Sequence, residues 1–335
     1  MPQDVFVTGG SGLVGGAVVR ALVARGDRVR ALARSDAAAD ALTAAGATPV
    51  RGDLLDPADL APQMDGAAVV YHVAGLNAFC WRDPSPLYRV NVDGARAVVR
   101  AAARADVRRV VHTSSAATIG ERSGTVADER SPHRGWFLSH YERSKHAAER
   151  LALAEAADRG VDLVCVNPSS VQGPGRAGGT TKLLTAYLDG RLRALVDTRL
   201  SLIDVDDCAR AHLCAADHGA SGERYLISGA TITVREGLAL LADLTGADHR
   251  TVALPGALAV VAGALVEGLG RLRGSTPSVC REMVRTLVHG HHYDGSRAER
   301  ELGLSYTPLE DTLARLVRWL VDAGHVTAPL PRLPG

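Results

Sequence analysis

The turn Gly9-Gly10-Ser11-Gly12 constrains the fold of this 335-residue chain more than any other stretch. Before it runs the β-rich segment Asp4-Val5-Phe6-Val7-Thr8. After it, Leu13, Ala17, Val18, Ala21 and Leu22 recur at helical spacing as far as Arg25. Strand, glycine turn and helix therefore follow one another without a gap. Gly9, Gly12 and Gly15 stand three apart. The first permits the tight turn, the second lets backbone approach a pyrophosphate, and the third lets helix pack on strand. The helix start, at Leu13 and Val14, presents unpaired N–H groups and a positive dipole end to that phosphate. Such a turn in such a place predicts a dinucleotide-binding unit.

The pattern then repeats. Arg28–Ala33 reads as a second strand ending in Arg34-Ser35-Asp36, beside the expected adenosine ribose. An acid there would bond the 2′-hydroxyl of NAD(H). Arg34 instead suits the 2′-phosphate of NADP(H), and Asp36 reads as the N-cap of a helix over Ala37–Ala45. Thr48–Leu54 is a third strand and its exit, with Asp53 and Leu54 set to meet the adenine. Ala67–Val73 is an apolar strand stopped by Ala74-Gly75, so Val73, Ala74 and Gly75 bring backbone to the cofactor again. His72, inside that strand, reads as a core residue. Tyr88–Arg104 reads as one helix with Asn91 mid-face. Arg108–Thr113 is a buried strand ending in Thr113-Ser114-Ser115, and Val161–Val166 another ending in Asn167-Pro168-Ser169-Ser170. Six strand–helix units call for a doubly wound parallel sheet with helices on both faces. Later segments are mostly helical: Val234–Thr245, Leu254–Arg271, Val279–Leu287, Arg297–Leu302 and Leu309–Ala323. The expected division is a cofactor-binding part, residues 1–168 with 199–229, and a smaller substrate-binding part, 169–198 with 230–335. The proline-rich tail Thr327–Gly335 is expected to fray.

Composition narrows the class of partner. A net charge of +1 gives no reason to expect nucleic acid or an acidic membrane. Five scattered cysteines (Cys80, Cys165, Cys208, Cys214, Cys280) with no CxxC read as thiols in a reducing cytoplasm. Richness in Ala, Arg, Gly and Val suggests a bacterial genome of high GC content. The most apolar stretch, Thr251–Val266, is broken by Pro255-Gly256 and falls short of the ~20 residues of a membrane span; it reads as a buried helix. His289-Gly290-His291-His292 has no i, i+4 histidine pair and no acid or cysteine set beside it in sequence, so it reads as a solvated loop with no metal.

Chemistry enters at His140-Tyr141-Glu142-Arg143-Ser144-Lys145. Tyr141 and Lys145 fall one turn apart on a helix face. The chain carries its positive charge as arginine, and its only lysines are Lys145 and Lys182. A titratable ammonium beside a phenol favours the phenolate and is expected to pull the tyrosine pKa down. Phe79 and Trp81, in a loop after a strand, and Trp136, before the Tyr141 helix, suggest an apolar ligand wall; Ser169 and Gln172 come from a further loop that should open onto the same place.

Together, Thr8-Gly9-Gly10-Ser11-Gly12-Leu13-Val14-Gly15, Ser115 and Tyr141-Glu142-Arg143-Ser144-Lys145 resemble an extended short-chain dehydrogenase/reductase. Gly52-Asp53-Leu54, His72-Val73-Ala74-Gly75, Asn91-Val92-Asp93-Gly94, Val205-Asp206-Asp207 and Tyr293-Asp294-Gly295-Ser296-Arg297-Ala298 match that superfamily in kind. The chain is most similar to its dihydroflavonol-reductase-like group. Asn167-Pro168-Ser169-Ser170 has proline where nucleotide-sugar epimerases usually carry an Asn-Val-Tyr-Gly type sequence, and Ala116-Ala117 follows Ser115 in place of a dehydratase Asp-Glu pair.

The resemblance implies a Rossmann fold and hydride transfer between NADP(H), or alternatively NAD(H), and a carbonyl or alcohol. It implies Tyr141 as acid, Lys145 on the nicotinamide ribose, Ser115 on the substrate oxygen and Asn91 near the lysine. Thr113, Ser114, Asn167, Pro168 and Ser170 would border the cofactor. A homodimer through a four-helix interface is common among similar proteins. The competing readings are an NAD-dependent nucleotide-sugar epimerase and a non-catalytic NADP-binding sensor.

Overall fold

The computed structural model describes residues 2–273 and 279–332. Its first strands fall where the apolar runs lie: β1 Asp4–Thr8, β2 Arg28–Ala33, β3 Thr48–Arg51, β4 Val69–His72, β5 Arg109–Thr113 and β6 Leu163–Pro168. A seventh, Arg224–Ile227, joins β6, and the sheet runs from it through β6, β5, β4, β1 and β2 to β3. Every pairing in it is parallel. Such a sheet is covered on both faces, and the strand residues divide accordingly. Val5, Val7, Tyr71, Val111 and Val164 enter one apolar layer with helices Leu13–Ala24 and Val205–His218. Phe6, Val70, Val110 and Leu163 enter the other, with helices Gly94–Arg104 and His140–Arg159. The order of strands reverses between β1 and β4. Ligands of doubly wound sheets bind at the C-terminal ends of the strands beside such a switch point.

The remainder is a largely helical region with a third apolar cluster, built from Leu184, Leu188, Leu241, Leu313, Leu316 and Leu320. Two small sheets attach to it. One joins Ser170–Gln172, Arg199–Asp204 and Ala230–Thr233; the other pairs Ala194–Leu195 with Val252–Ala253. The sequence periodicity does not predict Ala230–Thr233 or the two-residue strands. They are too short to show alternation, and pairing partners hold them.

Four sequence expectations change. Ser35 caps the second helix, accepting from Ala38 N at 3.3 Å, and the helix begins at Asp36. The predicted helix Tyr88–Arg104 is three pieces: Ser85–Tyr88, a wide π turn Arg89–Asp93, and Gly94–Arg104. The tail does not fray as far as Arg332: Val326 and Leu330 are buried, and Arg332 N donates to Thr245 O at 3.0 Å. Residues 333–335 lie outside the described part. The apolar helix, observed as Gly256–Leu272, is not buried, since Leu258, Val261, Leu265, Leu269 and Leu272 are all exposed.

The glycine turn shows why its residues carry no side chains. Gly9 has φ +74°, and a Cβ on it would lie 2.5 Å from Ala74 N; a Cβ on Gly15 would lie 2.0 Å from Gly9 O. Backbone blocks both positions, so a methyl group forces the turn to move. Gly15→Ala is expected to lower stability by about 1–3 kcal/mol and to weaken dinucleotide binding. A urea melt and a cofactor fluorescence titration measure the two effects.

Candidate active site

At the C-terminal edge of the sheet the strands end in backbone and hydroxyl groups that face one another. Thr8 Oγ1 lies 2.8 Å from His72 Nδ1 and accepts from Ala74 N at 3.3 Å, tying the end of β1 to the end of β4. His72 is buried there, as the sequence predicts, and desolvation lowers its pKa to about 3, so the ring is neutral. The Gly9 turn packs against Val73-Ala74, leaving no room for a side chain between them. This is a cradle open to backbone N–H groups, as a pyrophosphate requires.

Beside it stands Lys145. The helix His140–Arg159 starts at Ser139, whose hydroxyl accepts from Glu142 N at 3.1 Å. One turn in, Lys145 is buried, and its ammonium donates to Thr113 O at the end of β5, 2.7 Å away. Burial lowers its pKa to about 8 against the opposing field of Glu149. Asn91 is turned inward in the π turn, a form common at functional sites. Its Oδ1 accepts from Leu76 N at 2.8 Å, and its Nδ2 donates to Leu76 O at 3.1 Å and to Ser144 Oγ at 2.9 Å. Gly75 separates the two: a Cβ there would lie 3.3 Å from Asn91 Oδ1 and 3.7 Å from Lys145 Nζ.

The Tyr141 phenol lies beside Ser115, just past β5. Its pKa runs against the sequence expectation. Desolvation raises it above the usual phenol value, and the Ser115 hydroxyl lowers it only in part. Tyr141 is therefore a protonated donor at neutral pH. The ring of Phe79 rests on it with centroids 6.1 Å apart.

Not all candidates converge here. Asn167 is fully buried and its Nδ2 donates inward, to Ser115 O at 3.2 Å, Thr118 Oγ1 at 2.9 Å and Glu149. Pro168 ends β6 and Ser170 begins the next strand. Asp53 is exposed and accepts from Leu55 N at 2.9 Å. Arg34 is exposed with no hydrogen bond or ion pair among the described residues, while Asp36 pairs with Arg51. Trp81 and Trp136 line a cavity of about 460 Å³ beside His140, together with Cys80, Arg143, Cys280 and Arg285. Ser169 and Gln172 do not line it. Both are buried, and Gln172 borders a separate apolar hollow with Leu183 and Leu238.

Tertiary contacts add residues that no local pattern marks. Glu282 accepts from Cys80 N at 2.9 Å and His140 N at 3.1 Å, joining the aromatic loop, the start of the Tyr141 helix and the C-terminal region. Cys80 and Cys280 form a disulfide, which corrects the reading of all five cysteines as thiols. Two hundred residues separate them in sequence, and folding brings their Cα atoms to 5.5 Å. The histidine run is not a solvated loop either. His291 Nδ1 lies 2.6 Å from Oε1 of buried Glu121, and His289 Nε2 lies 3.2 Å from Glu121 O. Glu121 is the acid that the sequence placed too far away to count.

The profile of the NAD dependent epimerase/dehydratase family matches residues 5–228. The chain belongs to that family. It is 38% identical to a putative dihydroflavonol 4-reductase of Synechocystis, covering 97% of each chain. It is 30% identical to a 2-alkyl-3-oxoalkanoate reductase of Shewanella oneidensis, covering 94% of this chain and 85% of that one. Among solved structures, that of gox2253 superposes with TM-score 0.85 at 30% identity, over 97% of this chain and 100% of that one. The chain is thus an NAD(P)-dependent oxidoreductase of the extended short-chain type. The glycine cradle and the Gly75 gap between Asn91 and Lys145 fit the dinucleotide that family membership implies.

The disulfide gives this family member a measurable signature. Thiol titration of the unfolded, unreduced protein should find three free cysteines in place of five. Cys280→Ser should lower the unfolding free energy by about 2–4 kcal/mol, because the bridge closes a long loop in the unfolded chain. A denaturant melt reads that loss.

Proposed function

We propose that the protein is an NADPH-dependent carbonyl reductase in which Tyr141 is the general acid. The observation that carries this reading is the Tyr141 phenol beside Ser115, one helical turn from buried Lys145. Bound nicotinamide supplies the hydride. As charge grows on the substrate oxygen, Tyr141 delivers its proton to that atom, and its raised pKa keeps the proton in place at neutral pH until then. Ser115 donates to the same oxygen and fixes the carbonyl in line with the phenol. In a desolvated site one such donor is worth ~2.7–4 kcal/mol in the transition state.

Lys145 would hold the nicotinamide ribose, where its charge also favours the phenolate left after proton transfer. Asn91 holds Leu76 and Ser144, and so positions the loop after β4 against the Lys145 helix. Gly9, Gly12, Leu13, Val14 and Gly15 would take the pyrophosphate. Residues 1–168 with 199–229 would form the cofactor half.

NADP is preferred on the state of two side chains. Arg34 is unengaged and exposed at the end of β2, and the nearby carboxylate of Asp36 is neutralised by Arg51. A guanidinium without an internal partner suits a 2′-phosphate. The substrate reading rests on relatives that are named as reductases, one of them of a 3-oxoalkanoate. It also rests on a cavity walled by Trp81, Trp136 and Phe137. We infer a moderately sized, partly apolar ketone or aldehyde.

Tyr141→Phe is expected to lower kcat by about 10²–10³-fold with NADPH affinity retained, in an NADPH-oxidation assay over aldehydes, ketones, flavonoids and steroids. Unchanged turnover would remove Tyr141 from the mechanism, and turnover absent from the wild-type protein would favour a binding-only role. Arg34→Ala should weaken NADPH binding by about 10–100-fold, the loss of a charged hydrogen bond, and leave NADH binding nearly as before. Equal losses for both cofactors would argue against the 2′-phosphate contact.

A further inference from the structure

We propose that the helix Gly256–Leu272 docks flat on an anionic lipid surface. Its two faces differ sharply. Toward helix Arg281–His289 it presents glycine: a Cβ on Gly256 would meet Val288 at 2.7 Å, and one on Gly263 would meet Val284 at 2.8 Å. Leu258, Val261, Leu265, Leu269 and Leu272 follow one another at intervals of three or four and lie on the opposite side. Their exposures reach 60% at Leu258, 64% at Leu265 and 86% at Leu272. Val252 and Leu254, also exposed, extend the apolar surface ahead of the helix. Water-facing aliphatic residues in an unbroken row are not the scattered singles of an ordinary surface.

Three observations select a lipid surface as the occupant. The first is area. A helix of this length is about 25 Å long and about 10 Å wide, so two copies paired along the stripe would cover about 500 Å², against the ~1,200–2,000 Å² of a stable interface. A bilayer has no such lower limit and takes the apolar face of a helix lying in its plane. The second is charge. From Arg250 to Val266 the chain has no acidic residue, and exposed Arg250 and Arg273 stand at the two ends. Glu267, the one acid between these arginines, accepts from Arg281 N at 2.9 Å. The third is position. Glu267, on the glycine side of the helix, lines the cavity beside His140, so that side is turned toward the molecule and the stripe away from it. No helix among the described residues is long and apolar enough to cross a membrane, so the contact is one of lying on the surface. This inference stands whether or not the reaction is a carbonyl reduction.

The test is co-sedimentation of the full-length protein with phosphatidylcholine vesicles, with and without about one-third phosphatidylglycerol. Wild-type protein is expected to pellet with the anionic vesicles, and Arg250→Glu/Arg273→Glu to lose about five-fold in partition per arginine. Leu258→Glu/Leu265→Glu should lose about ten-fold or more with an unchanged melting temperature, because both side chains already face water. Leu272→Glu, at the helix end, serves as a second variant. Wild-type protein that stays in the supernatant overturns the proposal. So does a concentration-dependent dimer, seen by light scattering, that these leucine substitutions abolish, because the stripe would then be a contact between copies.

Discussion

The site depends on one buried ammonium. Lys145 lies in the body of the molecule, where an isolated charge is costly and must be met by oxygen. Thr113 O meets it at 2.7 Å, at the last residue of β5. Glu149, one turn further along the same helix, supplies the compensating field, and Asn167, Thr118 and Arg224 hold that carboxylate. The C-terminal edge of the sheet, the long helix and β6 thus form one electrostatic unit. Displacing any of them would leave a charge unpaired. Asn167 belongs to this unit as a structural residue, which explains why a strand-end asparagine resembling a cofactor contact is wholly buried.

The pairing of Tyr141 with Lys145 is accordingly less direct than their spacing suggests. A lysine at i+4 is near the phenol along the helix, yet its charge is committed to a backbone carbonyl across the sheet edge. The phenol responds mainly to its own desolvation and to Ser115. A proton donor that stays protonated until negative charge appears beside it suits reduction of a carbonyl. The same arrangement leaves the ammonium to stabilise the phenolate once formed.

The second half of the site is assembled by long-range ties. Glu282 takes one backbone N–H from the aromatic loop and one from the start of the Tyr141 helix, and the Cys80–Cys280 bridge lies alongside. Glu121 gathers His289 and His291 behind Trp136, whose ring also carries the guanidinium of Arg134 at 4.8 Å. Such contacts fix the wall of the cavity relative to the Tyr141 helix. They join residues about 140 to 200 positions apart.

The amino-acid sequence by itself determined the sheet and the glycine turn, and it marked Ser115, Tyr141 and Lys145 as the candidate trio. These rest on local rules: alternation or apolar runs, a turn that only glycine can make, and one-turn spacing on a helix. It also marked Asn91 and Gly75 as candidates, though not the π turn that points the asparagine inward. Only the tertiary structure decided the disulfide, the Glu282 tie, the anchoring of the histidine run on Glu121 and the exposure of the Gly256–Leu272 helix. An apolar helix reads the same whether its stripe faces a core or water. Cysteines, acids and histidines far apart in sequence carry no mark of being neighbours. The pKa direction of Tyr141 was decided there too, because desolvation is a property of packing, not of spacing.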